Sequence, residues 1–175
     1  GVGMTTIAYA SVTRSGLSFP RQLWLRPEII PGLREVTAAI HAEGAAASIQ
    51  IGHCGNMSHK SICGVTPISA SSGFNIYSPT WVRGMKREEL PEMAKAYGSA
   101  VCLAREAGFD AVEVHAGHGY LISQFLSPYT NHRKDEYGGS LENRMRFMTM
   151  VMNEVMKAAG KDLAVFVKMN MRDGF

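Results

Sequence analysis

Four stretches of the chain are apolar either continuously or at every second position. They are residues 4–12 (MTTIAYASV), 45–52 (AAASIQIG), 110–117 (DAVEVHAG) and 162–170 (DLAVFVKMN). Runs of this length between turn residues predict buried strands. Between them the interval changes. Leu33, Val36 and Ile40 recur at i, i+3 and i+7, and Gly44 ends the run. Met93, Tyr97, Val101 and Ala104 repeat the pattern up to Gly108. Leu141, Met148, Val151 and Val155 repeat it again, from a candidate N-cap at Ser140 to Gly160. Such spacing predicts three helices, each stopped by a glycine able to take a left-handed end. The order β-α-β-α-β-α-β with short links predicts an α/β fold with a parallel sheet and right-handed crossovers. Two architectures satisfy it: a doubly wound open sheet, or part of a (β/α) barrel.

Residues 56–85 break the alternation. The segment is rich in Ser, Gly and Pro and follows a strand end. It predicts a long loop or short hairpin over the strand ends, where lids are commonly built.

The period of two also distributes chemistry. Ser48 and Gln50 share one face of their strand, Glu113 and His115 one face of theirs, and Phe166 and Lys168 one face of a third. Three strands therefore bring a polar residue, Gln50, His115 or Lys168, close to their C-terminal ends. Ligands of α/β folds bind at those ends. One Gln or His there is ordinarily a satisfied structural group. Three together, with His118 and Tyr120 directly after His115, point to a site. His53, Cys54, His59 and Cys63 are chemically able to hold zinc, but their spacing matches no finger pattern, and no metal is expected. The EYGGS run at 136–140 predicts a tight turn into the Ser140 cap rather than an anion site. Methionines 145, 148, 150, 152 and 156 ring one helix, some as core filler.

Composition narrows the class. With 175 residues, 46% apolar and 19% charged, the chain can bury one core. A net charge of +3 without a basic stripe argues against nucleic acid. No apolar run approaches the roughly 20 residues of a membrane span. The opening GVGMTTIAYA lacks a basic n-region, and the three cysteines form no CxxC pair, so a cytoplasmic protein without a signal peptide is expected.

Residues 111–147, AVEVHAGHGYLISQFLSPYTNHRKDEYGGSLENRMRF, closely resemble the signature of the Old Yellow Enzyme family, the FMN-dependent NAD(P)H:flavin oxidoreductases. Both the HxxHGYLxxQFLSP run and the DEYGGSLENRxRF run carry the likeness. HAEGAAASIQIGHCG resembles the family's third strand and LAVFVKMN its fifth. The resemblance covers essentially the whole chain and is weakest over 53–90. It implies an FMN-binding TIM (β/α)8 barrel. Such barrels take about 250 residues, so 1–175 is expected to be a single partial domain holding strands 2 to 5. Strand 1, strands 6–8 and the FMN phosphate site are expected to lie outside it.

The resemblance also implies roles. Gln50 would hydrogen-bond the flavin pyrimidine edge. Lys168, where many members carry arginine, would sit near flavin N1 and O2. His115 and His118 would hold a substrate carbonyl oxygen, and Tyr120 would protonate the substrate α-carbon. Ala8–Tyr9–Ala10 replaces the family's more usual TEG or TEA, and puts a tyrosine where a small flavin contact is expected. The implied activity is hydride transfer from NADH or NADPH, through FMN, to the β-carbon of a small α,β-unsaturated carbonyl compound. The chain alone is expected to be inactive and, with open barrel edges, to form a homo-oligomer. Three alternatives remain open. One is a relative of 2,4-dienoyl-CoA reductase with an iron–sulfur cluster beyond Phe175. The others are a non-catalytic half-barrel and a metal-dependent barrel hydrolase.

Overall fold

The computed structural model describes residues 1–172. In chain order the elements are β1 (Met4–Ser11), α1 (Ile30–Ala42), β2 (Ala46–Gly52), α2 (Lys60–Cys63), β3 (Ile68–Ser69), β4 (Gly73–Asn75), β5 (Thr80–Gly84), α3 (Glu89–Glu106), β6 (Ala111–Ala116), α4 (Leu121–Leu126), α5 (Leu141–Ala159) and β7 (Ala164–Met169). The predicted punctuation operates as chemistry dictates. Ser140 Oγ accepts the Asn143 N–H at 3.3 Å and caps α5. Gly44 (φ 74°) and Gly108 (φ 85°) turn the chain out of α1 and α3 in the left-handed region.

The main sheet is wholly parallel, with order β1-β2-β6-β7. A doubly wound sheet reverses its strand order at a switch point. This order is sequential, and right-handed crossovers then carry every helix to the same face. The fold is α/β, a partial (β/α)8 barrel.

The core lies between that face and the helices. Ile49, Ile51, Val112 and Val114 from the sheet meet Leu90, Tyr97 and Val101 of α3 and Phe147, Val151 and Val155 of α5, all fully buried. Burying each such side chain contributes about 1.5–3 kcal/mol. Phe147 stacks on Phe125 of α4 at 4.4 Å. At Gly98 an added Cβ would stand 3.2 Å from the Glu154 carbonyl, so glycine lets α3 and α5 close on each other.

Most of β7, predicted as a buried strand, is exposed, because it is an edge strand of the sheet, and two predicted helix core positions are exposed as well. Leu141 opens α5 and is 55% exposed. It precedes Phe147 by six residues, about 120° round the helix from the buried stripe. Val36 is 41% exposed. Thr37 takes the inward position on α1 and satisfies its hydroxyl by donating to the Ala107 carbonyl at 2.7 Å.

Residues 56–85 form more than a loop. β4 and β5 make an antiparallel hairpin, and β5 also pairs with β3, giving a second, three-stranded sheet. Arg133 anchors it. Its guanidinium donates to the Ala70 carbonyl (3.1 Å) and the Met85 carbonyl (2.6 Å), and is itself held by Asp135. The hairpin base is thereby tied to the segment that leads into α5.

Candidate active site

Strand register brings the polar residues together. Gln50 on β2 stands opposite Glu113 on β6, and His115, two residues further, stands opposite Lys168 on β7. Alternation puts all four on the face turned away from the helices. Gln50 Nε2 donates a short hydrogen bond to Glu113 Oε2. Lys168 is exposed, while His115 is buried.

Beyond β6 the chain turns sharply. His118 has φ 56° and Gly119 φ 70°. Histidine is among the few side chains that tolerate this region. Asn170 fixes the turn by accepting the His118 N–H at 3.1 Å. An added Cβ at Gly117 would come within 2.8 Å of the same Asn170 oxygen and displace it, so glycine leaves room for this contact. The result is a cluster of rings. His115 lies 4.9 Å from His118 at 87°, and 4.7 Å from Tyr120. Tyr9, from β1, lies 5.2 Å from Tyr120 and 6.0 Å from His115. Tyr9 is anchored because its hydroxyl donates to the Gly16 carbonyl at 3.1 Å.

Protonation states follow from the surroundings. Burial, then the neighbouring His118 and Lys168, push the His115 imidazole down to about 4. His115 is therefore neutral at pH 7. Its Nδ1 accepts the Gly117 N–H at 3.4 Å, which leaves Nε2 as the nitrogen that carries the proton. Burial, with a smaller contribution from Cys54, raises the Tyr120 phenol above its ordinary value. It keeps its proton at neutral pH. The arrangement thus offers a neutral imidazole donor beside a protonated phenol, on the C-terminal side of the sheet.

A second network holds this turn in place. The Gln124 side chain accepts the Asn56 N–H (3.2 Å) and donates to the carbonyls of Cys54 (3.2 Å) and Gly119 (2.6 Å). It stitches the loop after β2 to the loop that carries His118 and Tyr120. Gly55 (φ 62°) permits this, since a Cβ there would meet Gln124 Oε1 at 2.2 Å. His53 is wholly buried, accepts the Gly55 N–H at Nδ1 (3.0 Å) and pairs with Ser15 at Nε2 (3.1 Å). Burial lowers it to about 3 and pushes the neighbouring Cys54 thiol up to about 12. His59 caps α2 by accepting the Ser61 N–H.

A cleft of about 750 Å3 opens beside His118, between the β4–β5 hairpin and residues 127–132. Of the five residues singled out from the sequence, only His118 lines it. Gln50, His115, Tyr120 and Lys168 belong to the sheet face and ring cluster next to it. Sequence reading does not single out Gln124 or Asn170. Gln124 sits inside the GYLISQFLSP run, and Asn170 follows Lys168 by two, which were the available signals.

The model of a family described as "NADH:flavin oxidoreductase / NADH oxidase family" matches residues 1–175. The 4,4'-dithiodibutanoate disulfide reductase of Rhodococcus erythropolis is 39% identical over 174 residues, which is 99% of this chain and 43% of that protein. Among solved structures, the old yellow enzyme homologue from Zymomonas mobilis superposes with a TM-score of 0.86 and 31% identity, over 93% of this chain and 49% of that one. A 2-naphthoyl-CoA reductase bound to 2-naphthoyl-CoA gives a TM-score of 0.89 and 31% identity, over 95% of this chain and 27% of that one. The chain spans less than half the length of each of these proteins.

Proposed function

This chain belongs to the NADH:flavin oxidoreductase / NADH oxidase family, and from that premise we propose that the whole protein carrying it is an FMN-dependent ene-reductase. It would use NADH or NADPH to reduce the C=C bond of an α,β-unsaturated carbonyl compound. The observation that carries the reading is the contact of neutral His115 with both His118 and Tyr120.

FMN, when bound, supplies the hydride that reaches the substrate β-carbon. The remaining work falls to the chain's own residues. Addition at the β-carbon drives negative charge onto the carbonyl oxygen. His115, with Nε2–H free to donate, and His118 would stabilise that charge as paired donors preorganised in a partly desolvated site. Tyr120, protonated at neutral pH, would give its proton to the α-carbon and be reprotonated from water. The carbonyl compound then leaves with one new C–H bond at each former alkene carbon, the β-carbon's from the hydride and the α-carbon's from the proton.

The same face supports FMN itself. Gln50 offers a carboxamide and Lys168 an ammonium, a donor, acceptor and cation set that matches the N–H and carbonyl oxygens of a flavin pyrimidine ring. Gln50 would bind that ring edge and Lys168 would favour negative charge at its N1 and O2 side.

A direct test is product analysis. Holoprotein with NADH or NADPH and cyclohexenone under anaerobic conditions should yield cyclohexanone. Reduction of quinones or disulfides with no cyclohexanone would overturn the reading. A second reading is an acyl-CoA reductase with an iron–sulfur cluster outside this chain. The likeness to 2-naphthoyl-CoA reductase, of which the chain covers 27%, supports the acyl-CoA part of that reading. Iron analysis of the whole protein, with turnover of an enoyl-CoA, separates the two.

A further inference from the structure

Glu113 has no part in the roles above. It projects from β6 opposite Gln50 and accepts the Gln50 Nε2–H. A carboxylate can only accept, whereas a carboxamide has one donating end and one accepting end of nearly equal size. Only one orientation of Gln50 satisfies the pair, with NH2 towards Glu113 and Oε1 away from it. Gln50 is 6% exposed, and among the described residues its Oε1 has no hydrogen-bond partner. Without Glu113, either end of the amide could be turned to a ligand on the sheet face.

We infer that Glu113 is a positioning residue, which locks the Gln50 carboxamide so that its carbonyl oxygen, and not its NH2 group, meets the ring N–H of a bound flavin. The inference rests on the reading of Gln50 as a flavin ligand. An oxidised isoalloxazine carries a single ring N–H, at N3, between two carbonyl groups. An amide locked as acceptor pairs with that N–H. A flipped amide would set donor against donor and leave both unsatisfied, which is costly in a partly buried site. The second amide hydrogen stays available to an adjacent ring carbonyl. Glu113 therefore dictates which flavin atom Gln50 reads, without touching the flavin.

The test is FMN binding to whole apoprotein, followed by quenching of flavin fluorescence, in a double-mutant cycle. Gln50→Ala, Glu113→Gln and the double variant are compared with the parent, using FMN and 3-methyl-FMN, whose N3 carries no hydrogen. Glu113→Gln is isosteric but can turn either end to Gln50, so the lock is lost. It should raise the FMN dissociation constant roughly tenfold, the scale of a hydrogen bond to a charged group. In the Gln50→Ala background the same change should add less than about twofold, as coupled residues do. With 3-methyl-FMN, Glu113→Gln should cost nothing. A merely structural Glu113 would lower the melting temperature without changing the ratio of FMN to 3-methyl-FMN affinity.

Parent-like FMN binding by Glu113→Gln, or a penalty that persists in the Gln50→Ala background, would overturn the inference and leave the flavin reading standing. Unchanged FMN binding by Gln50→Ala would remove Gln50 from the flavin, and the inference with it. Should Glu113→Gln give no folded protein, Glu113→Asp, which keeps the charge but draws the carboxylate back by one methylene, is read in the same way.

Discussion

His115 and Lys168 face each other across the β6–β7 ladder, one buried and uncharged, the other exposed and cationic. Burial does most to hold the imidazole neutral, and the neighbouring His118 and Lys168 add to it. The pairing has two consequences. The imidazole keeps one defined N–H, and a positive charge stands on the sheet face where a flavin edge is proposed to lie.

Lys168→Met separates these consequences. Losing the ammonium should move the His115 pKa up from about 4, though not to the ordinary 6.5, since burial and His118 remain. Imidazole resonances followed by NMR against pH would report it. In the holoprotein the flavin reduction potential should fall, because a cation favouring the anionic reduced form is gone. An unchanged or raised potential would remove Lys168 from the flavin edge.

His115→Ala and His118→Ala should each weaken binding of a phenol that mimics the charged carbonyl oxygen, and should slow enone reduction by roughly 10²–10³, the usual cost of a lost oxyanion donor. Binding in the parent should be flat from pH 8 to about 5 as far as His115 is concerned, and change only towards pH 4, where Nδ1 gains a proton, gives up the Gly117 N–H and leaves a cationic ring whose Nε2–H still donates. Chelators should leave activity intact. Activity lost to EDTA and restored by zinc would instead assign these histidines to a metal.

Much of this was legible in the sequence because it rests on periodicity. Alternation in SIQIG and AVEVH put Gln50 and His115 on one face, and the caps at Ser140, Gly44 and Gly108 follow from backbone geometry that few residues can adopt. The choice between open sheet and barrel was not legible from periodicity, since both need the same alternation, and only the family resemblance of residues 111–147 implied the barrel. Strand order decided it. The exposed Val36 and Leu141 show the limit of a three- or seven-residue interval, which drifts by tens of degrees round the helix. The supporting partners were hidden for another reason. Gln124 acts on Cys54 and Gly119, and Asn170 on His118, through contacts between segments distant in the chain, which no local pattern encodes.

His53 makes a stability prediction. It is buried and neutral, with its pKa lowered to about 3 against about 6.5 when unfolded. Between those values the unfolded chain binds a proton that the folded one does not, so stability falls as pH drops from about 6.5 towards 3. At about 1.4 kcal/mol per unit, the loss could reach roughly 5 kcal/mol at the acid end. His53→Gln should lower stability at pH 8, where the Ser15 and Gly55 bonds are disturbed, yet flatten the acid limb. Denaturant midpoints measured from pH 8 to 4 would show it. Parallel curves for parent and variant would mean that another group carries the acid sensitivity.

Tyr120 gives the sharpest separation of steps. Its phenol is raised by burial, then by Cys54, so it holds a proton throughout the neutral range and suits the role of acid, not base. Tyr120→Phe removes the hydroxyl and keeps the ring that packs on His115 and Tyr9. In the holoprotein, flavin reduction by the nicotinamide needs no phenol and should be nearly unchanged. Reduction of cyclohexenone requires a proton at the α-carbon and should slow by roughly 10²–10⁴, the usual worth of a positioned general acid. Quinones need no carbon protonation, so their reduction should survive. In the parent, the alkaline fall of the enone step should come later than the pH of about 10 expected of an ordinary phenol. Stopped-flow traces of the two half-reactions distinguish the outcomes. Equal slowing of both would mean that Tyr120 only shapes the pocket, and an unaffected enone step would mean that water or another group delivers the proton.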